Sequence, residues 1–488
     1  MHKWKFGKWK SIFLTRTMLL FTAFFLFTTA AAATSVDLSF ENLTSDVGRG
    51  FGENMNRYAW SMSEFNGTVY VGTWNVQLDY PAIIKAAING DLNIGSGNPL
   101  EGISYIQSQG GEIWKYNGGK NWSQVYKATP ADTGFRVMSE YNGALYAGSA
   151  NSTTGTSLIR STDGVNWEKL TGGPLNNSAN NSIRTLTNYN GTLYVGTENN
   201  KTGGELWGYD GSQWTKKATF TDPSVAELQV YNGKLYLGTW NFTDKYHFYE
   251  SQNGTNFANV TPVFPGSDQL ANLGVMKLTE YKGTFYLGTV NYRDGFTLLR
   301  TKDPSSPSGW EVITINGLGD KSNAYSWSLQ EYQGKLYLGT FNDGLYGGIY
   351  DPVPIPLDGR AQLWCTEDGK NWTKVVNDGF GSTFNYGIRT MTVSNNQLFV
   401  GTASNFLIYD PMTIEIGTLS AYLANFAGKD GQIDWVSFQK YLEEHPTCDW
   451  NWIGTEVWAS TEPVPEPATI TLIGLGILGT AVSRRKKG

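Results

Sequence analysis

The chain has 488 residues, 40% of them hydrophobic, with 57 Gly, 18 Trp, 27 Tyr and 24 Phe; this excludes global disorder and points to short strands and tight turns rather than helices. Two cysteines are too few for a disulfide scaffold. The net charge of −6 includes nine basic residues at the two ends, and without them 28 basic residues face 43 acidic ones, a balance of −15 that disfavours nucleic acid as a partner.

Lys3, Lys5, Lys8, Lys10 and Arg16 precede an apolar run from Met18 to Phe27 and a small-residue site at Ala31 and Ala33. That order reads as a secretory signal peptide over residues 1–33, with a run too short for a membrane span.

The next 427 residues, 34–460, repeat one pattern. Its cores are Val69–Thr73, Leu145–Ser149, Leu193–Thr197, Leu235–Thr239, Phe285–Thr289, Leu336–Thr340 and Leu398–Thr402, each built on Gly-Thr or Gly-Ser. Seven copies at this spacing, with several strands apiece, predict an all-β, seven-bladed β-propeller of four-stranded blades. An Asn-Gly-type turn joins strands one and two. Strand three recurs as Glu112–Tyr116, Glu205–Tyr209 and Gln362–Cys365, and strand four begins at a Trp such as Trp122, Trp167, Trp214 or Trp372. Nothing suitable for a fourth strand follows Ser460, so the N-terminal segment Phe40–Leu43 is expected to close the last blade. A ring closed in this way leaves no edge unpaired.

Leu193 to Ala218 resembles a kelch repeat, with Gly-Thr where kelch has Gly-Gly. Ser161-Thr-Asp-Gly-Val-Asn-Trp167 resembles the Asp-box turn of sialidase-type propellers, shortened by one residue. Both resemblances imply the fold and neither implies a reaction.

Along strand one, a slot seven residues before each turn holds Trp60, Arg136, Arg184, Ala226, Met276, Trp327 and Arg389. First strands line a propeller's axis, so the slot is expected near one channel mouth, where three Arg and two Trp form a polar-aromatic ligand site. The competing reading pairs these Arg with acids between blades. Trp74, Glu198, Trp240 and Phe341 enter the same face after Gly-Thr. The Asn that follows them (Asn75, Asn151, Asn199, Asn241, Asn291 and Asn342) is read as a turn-former more than a ligand contact.

Three insertions, 76–108, 343–360 and 407–452, all fall between strands two and three of neighbouring repeats and are expected to stand together on that face. They carry Tyr80, Tyr346, Tyr350, Trp435, Trp450 and Trp452 with Asp79, Asp351 and Asp434, and Ile433 to Glu444 reads as a short helix. Tyr346 and Trp435 join the ligand-binding candidates. Cys365 and Cys448 lie on neighbouring blades of an exported chain, so a disulfide between them is geometrically open, against the alternative of a buried free Cys365.

No catalytic residue, cofactor or metal ligand is assigned. Beyond the signal peptide only His247 and His445 remain, far apart, and no His-Glu-x-x-His, phosphate loop or Cys-x-x-Cys is present. Two carboxylates from different blades would leave no spacing to read, so a glycosidase stays open.

The C-terminus reads Val464-Pro465-Glu466-Pro467, an uncharged stretch 468–482 expected to be helical, then Arg484-Arg485-Lys486-Lys487. A formal Gly474-x-Gly476-x-x-Gly479 lacks the strand and acid of a dinucleotide site. The whole segment 461–488 closely resembles the PEP-CTERM sorting signal, with Pro465, Glu466 and Pro467 as its motif. The resemblance implies an exosortase-type processing enzyme as partner, transient inner-membrane anchoring by a transmembrane helix, and delivery to the cell surface or extracellular matrix. With the aromatic insertions, it leads to the expectation of a secreted, non-enzymatic propeller that binds polysaccharide or another extracellular partner. A propeller-fold glycoside hydrolase or polysaccharide lyase, and a protein-protein platform, are the alternatives.

Overall fold

A computed structural model describes residues 38–78, 106–241, 244–344, 359–404 and 453–461, with isolated positions 426, 434, 436, 437, 440 and 444. Phe40–Thr461 forms one compact unit; of the other, residues 1–39 and 462–488, only Leu38 and Ser39 are described. The signal peptide, the Pro465–Pro467 motif and the 468–482 segment therefore lie outside the described residues. Among the described residues no helix is long and apolar enough to cross a membrane.

The compact unit is an all-β, closed, propeller-like antiparallel sheet. In the first repeat Asn56–Phe65 pairs with Thr68–Asn75, which pairs with Glu112–Tyr116, which pairs with Trp122–Lys127. The third repeat follows the same order through Ser182–Tyr189, Thr192–Glu198, Glu205–Tyr209 and Trp214–Thr219. At each hairpin between strands one and two the turn residue has positive φ and so does its successor, as in Asn66-Gly67 (51° and 76°) and Asn190-Gly191 (49° and 73°). That is the primed turn which Asn-Gly favours, because only it matches the strand twist.

The residue after Gly-Thr joins each repeat to the next. Trp74 pairs with Gly134, Ala150 with Ser182, Glu198 with Ser224, Trp240 with Gly274, Val290 with Tyr325 and Phe341 with Gly387. Ala403 pairs with Tyr58, returning from the last repeat to the first.

The Gly of each core has a steric reason. A Cβ on Gly148 would lie 2.7 Å from Ile183 Cβ, on Gly238 2.4 Å from Val275 Cβ, and on Gly401 2.6 Å from Ala59 Cβ. Strand one of the following repeat presses into the space a side chain would need. Tyrosines add a second lock: Tyr141 Oη donates to Gly191 O at 2.8 Å, Tyr189 Oη to Gly233 O at 3.1 Å and Tyr332 Oη to Asn396 O at 2.9 Å. Each reaches from one repeat to the hairpin turn of the next. Between repeats four and five Tyr231, Tyr236, Phe248, Val275, Phe285 and Trp310 form one buried cluster, and each such side chain contributes about 1.5–3 kcal/mol.

The turn at Ser161–Trp167 is held as its Asp-box-like sequence suggests. Asp163 Oδ1 accepts from the backbone N–H of Val165 at 2.8 Å and of Asn166 at 2.7 Å. Asn253 and Asp368 repeat the arrangement two and four repeats' worth of chain later.

The last repeat is assembled from both ends of the chain. Gln397–Ser404 pairs with Val457–Thr461, and the latter pairs with Ser39–Asn42. Leu43 N–H donates to Val457 O at 2.8 Å. Glu456, 2% exposed, accepts from Asn42 Nδ2 at 2.7 Å and from Asn385 Nδ2 at 2.7 Å, and pairs with Arg49 at 3.2 Å.

Candidate functional site

Every residue of the predicted strand-one slot occupies a β-bulge. Pairing steps from Ala59 to Ser61 past Trp60, from Phe135 to Val137 past Arg136, and from Ile183 to Thr185 past Arg184. It likewise skips Ala226, Met276, Trp327 and Arg389. A bulged residue leaves the ladder and its side chain is re-aimed. The apolar positions two residues on, Met62, Met138, Leu186, Leu228, Leu278, Leu329 and Met391, are all buried.

The bulges bring arginines onto indoles. Arg136 Cζ lies 5.1 Å from the Trp60 ring, Arg184 Cζ 4.8 Å from Trp240 and Arg389 Cζ 5.6 Å from Trp327. Trp60 stacks in turn on Trp74, at 4.9 Å between centroids and 27° between planes. Phe341 packs against Trp327 at 5.2 Å and against Tyr325 at 4.5 Å. Trp60, Trp240, Trp327 and Phe341 are buried, whereas Trp74, Glu198, Arg136 and Arg389 keep part of their surface. The aromatic faces are thus largely covered by the guanidinium groups and by one another.

Among the described residues Arg184 alone of the three arginines has an acid, Glu198 of its own repeat at 2.7 Å. Burial holds Arg136 well below its ordinary pKa, the like charge of Arg184 adds to this, and Glu198 opposes it. Arg389 is pushed down to about 10, first by burial and then by Arg184, with Glu227 opposing. A guanidinium is not deprotonated in proteins, so both carry charge. Ring contacts running from Trp240 through Tyr325, Trp327, Tyr58 and Trp74 to Trp60 join the indoles under Arg184, Arg389 and Arg136 in one cluster.

Several participants were not foreseen. Tyr58 belongs to the cluster: it meets Trp74 at 4.7 Å and Trp327 at 5.5 Å, and its hydroxyl contacts that of Tyr386. Burial, followed by Tyr292, raises its pKa well above the usual value. Glu227 and Lys277 pair beside the empty slots of Ala226 and Met276. Four residues before each bulge stands an amide or acid: Asn56, Asp132, Asn180, Asp222, Asn272, Asn323 and Asn385. Aligning that column would have found it.

These side chains take up the Asn residues after Gly-Thr. Asn199 Oδ1 accepts from the N–H groups of Lys201 at 3.0 Å and Thr202 at 2.9 Å, while its Nδ2 donates to Asn180 at 3.0 Å. Asn151 and Asn291 cap their loops similarly. Strand three completes the network with Glu112, Glu205, Gln362 and Glu456, which accept from Asn56, Asn180, Asn323 and Asn385 respectively. His247 occupies the equivalent position and bonds Asp222 at 2.7 Å. Its role there is that of a lattice member inside one repeat.

Asp343 stands apart. It is 2% exposed, and its Oδ2 has no hydrogen-bond partner among the described residues. Burial, followed by the charge of Asp320, pushes its carboxyl up to about 7 against a backbone N–H that favours the anion. Because the folded pKa exceeds the unfolded one, the stability of the protonated state is complete at low pH and is lost as pH rises from about 4 to about 7. Asp343→Asn is expected to raise unfolding stability at pH 8 by on the order of 3 kcal/mol and to change little at pH 4. Urea unfolding of both proteins at the two pH values checks this, and equal effects at both would refute it.

Tyr346, Trp435 and Cys448 lie outside the described residues, as do the other insertion aromatics and the proposed bridge to Cys365. Cys365 itself is half-buried on strand three and burial pushes its thiol pKa up. The first insertion begins and ends in a short ladder, Gln77–Leu78 with Ile106–Gln107. Of the expected 433–444 helix, Val436, Ser437, Lys440 and Glu444 are described as helical and Asp434 is exposed. Among the described residues no three His, Cys, Asp or Glu are grouped to hold a metal ion.

Residues 463–486 match the PEP-CTERM protein-sorting motif. This implies export, processing by exosortase and sorting to the cell surface. No curated protein matches the chain. Among solved structures, YCF48 from Cyanidioschyzon merolae is similar with a TM-score of 0.43 at 10% identity, over 72% of this chain and 94% of its own. The computationally designed Ika8 protein gives 0.38 at 12% identity, over 72% and 81%. An α-L-arabinofuranosidase from Clostridium thermocellum gives 0.30 at 14% identity, over 52% and 93%. All three scores are low, and nothing of what those proteins do is carried over.

Proposed function

We propose that the chain is a seven-bladed β-propeller, its last blade closed by the N-terminal strand, that is exported, processed near Pro465–Pro467 and retained at the surface or in the extracellular matrix. There it binds polysaccharide without chemical turnover. The pairing of four strands per repeat, together with the return from Ala403 to Tyr58, supports the blade count. The observation that carries the binding half is the meeting of Arg136, Arg184 and Arg389 with tryptophans at one place on the ring. Sugars suit such a surface, since C–H faces stack on indole and hydroxyls bond guanidinium.

Burial redistributes the work among the candidates. Trp74, Glu198, Arg136 and Arg389 keep surface and would touch a ligand, while Trp60, Trp240, Trp327 and Phe341 would support them from behind. Tyr346 and Trp435 would extend the site from the insertions. The purified protein is expected to be retained by polysaccharide from the producing cell's matrix. Trp74→Ala should weaken retention about tenfold, or roughly 1.4 kcal/mol. A protein that passes every polysaccharide column unretarded would end this reading.

A further inference from the structure

Resting on that polysaccharide reading, we infer that the arginine cluster receives the anionic group, carboxylate or sulfate, of an acidic sugar. Arg136 and Arg389 each stack on an indole, yet neither makes a hydrogen bond or ion pair among the described residues, and Arg389 Nε is fully covered. A guanidinium carries five N–H donors in a planar fork. Arg389 Nε, covered and without an acceptor among the described residues, is a standing loss of stability, while the remaining donors of both groups keep surface through which a ligand can reach them. Stacking on Trp returns only part of this.

The charge census points the same way. Glu198 neutralises one of the three arginines, and Glu227 is already engaged by Lys277. Asp343, near Tyr325 of the same cluster, has its carboxyl pushed up to about 7 by burial, so it carries a full negative charge only above neutral pH. Among the described residues the arginine cluster therefore keeps an excess of positive charge, inside a body whose balance is −15. A planar oxyanion fits the fork bidentately and supplies the missing acceptors. A neutral sugar would supply hydroxyls only and leave the charge excess uncompensated.

This gives stability and binding opposite dependences on the same side chains. Arg136→Met with Arg389→Met removes the unpaired charges, so the unfolding midpoint is expected to stay or rise while binding of an acidic sugar is lost. Glu198→Gln frees Arg184 and is expected to strengthen that binding several-fold.

The test is affinity electrophoresis of the full-length protein in gels containing polygalacturonate, fully methyl-esterified polygalacturonate, dextran sulfate or the producing cell's matrix polysaccharide. Retardation by polygalacturonate or dextran sulfate is expected, the better of the two naming the carboxylate or the sulfate, with at least about tenfold less by the ester. Equal retardation by the ester overturns the inference and leaves polysaccharide binding standing, as does retardation by the matrix polysaccharide alone. No retardation in any gel removes both. Loss of binding in the double Met variant accompanied by a lower midpoint assigns the arginines to structure and overturns the inference, and so does binding that survives the double substitution. Weaker binding by Glu198→Gln counts against it as well.

Discussion

Glu456→Ala is expected to lower unfolding stability by about 3–5 kcal/mol, the largest effect of any single substitution considered. Its carboxylate joins three partners from distant parts of the chain: Asn42 and Arg49 near the start, and Asn385 from the strand at the head of the same repeat. Removing it takes an acceptor from the buried amide of Asn385, the partly buried amide of Asn42 and the partly buried guanidinium of Arg49. Glu456→Gln keeps one carbonyl acceptor and should lose less than half as much. The contrast with Lys127–Glu112 is informative, because there the acid serves a single repeat. Glu112→Ala should therefore leave the N-terminal segment protected in hydrogen exchange, whereas Glu456→Ala should expose Ser39–Leu43. Equal protection of that segment in the two variants would show that Glu456 does not hold the closure.

Gly238→Ala is expected to lower unfolding stability by about 1–3 kcal/mol, the second largest loss. The new methyl would lie 2.4 Å from Val275 Cβ and 2.6 Å from both its methyl groups. Val275 is fully buried and β-branched, so it cannot swing aside as a flexible side chain would. The backbone φ of Gly238 is not positive, so the penalty is steric and not conformational. Val275→Ala costs stability by itself through a cavity, yet combined with Gly238→Ala it should restore part of the loss. Guanidinium unfolding of the four proteins of this cycle measures the coupling. A double variant whose loss equals the sum of the single losses would show that the two residues do not compete for one space.

The Gly-Thr cores made strand two legible because their glycine answers a steric demand that recurs in each repeat. The Asn-Gly turns were legible for a similar reason, since positive φ restricts which residues can stand there. The bulge at Trp60 was not. Sequence shows that Trp60 lies one residue beyond Ala59, and only the register against Thr73 and Gly72 shows that it has left the ladder. Burial of Trp240 and Trp327 was equally hidden, because groups from other repeats produce it, Arg184 and Tyr325 at Trp240, and Arg389, Tyr58 and Tyr386 at Trp327. The Asn56-to-Asn385 column lay in plain view. It was missed because its members fall at the start of strand one, some opening it as Asn56 does and others standing just ahead of it as Asp132 does, after connections whose lengths differ between repeats.

A ring whose last sheet needs Ser39–Asn42 beside Val457–Thr461 also imposes an order in time. A chain delivered amino end first has its opening strand available long before the strand that receives it. Most of the repeats can pair as they emerge, but closure waits for the final residues, across a loop of some four hundred. Until then two sheet edges stay open, and an open edge invites pairing with other chains or attack by proteases. A product cut short anywhere before Val457 never leaves that state. Completeness of the chain is in this way tested by the fold itself, before any partner is met.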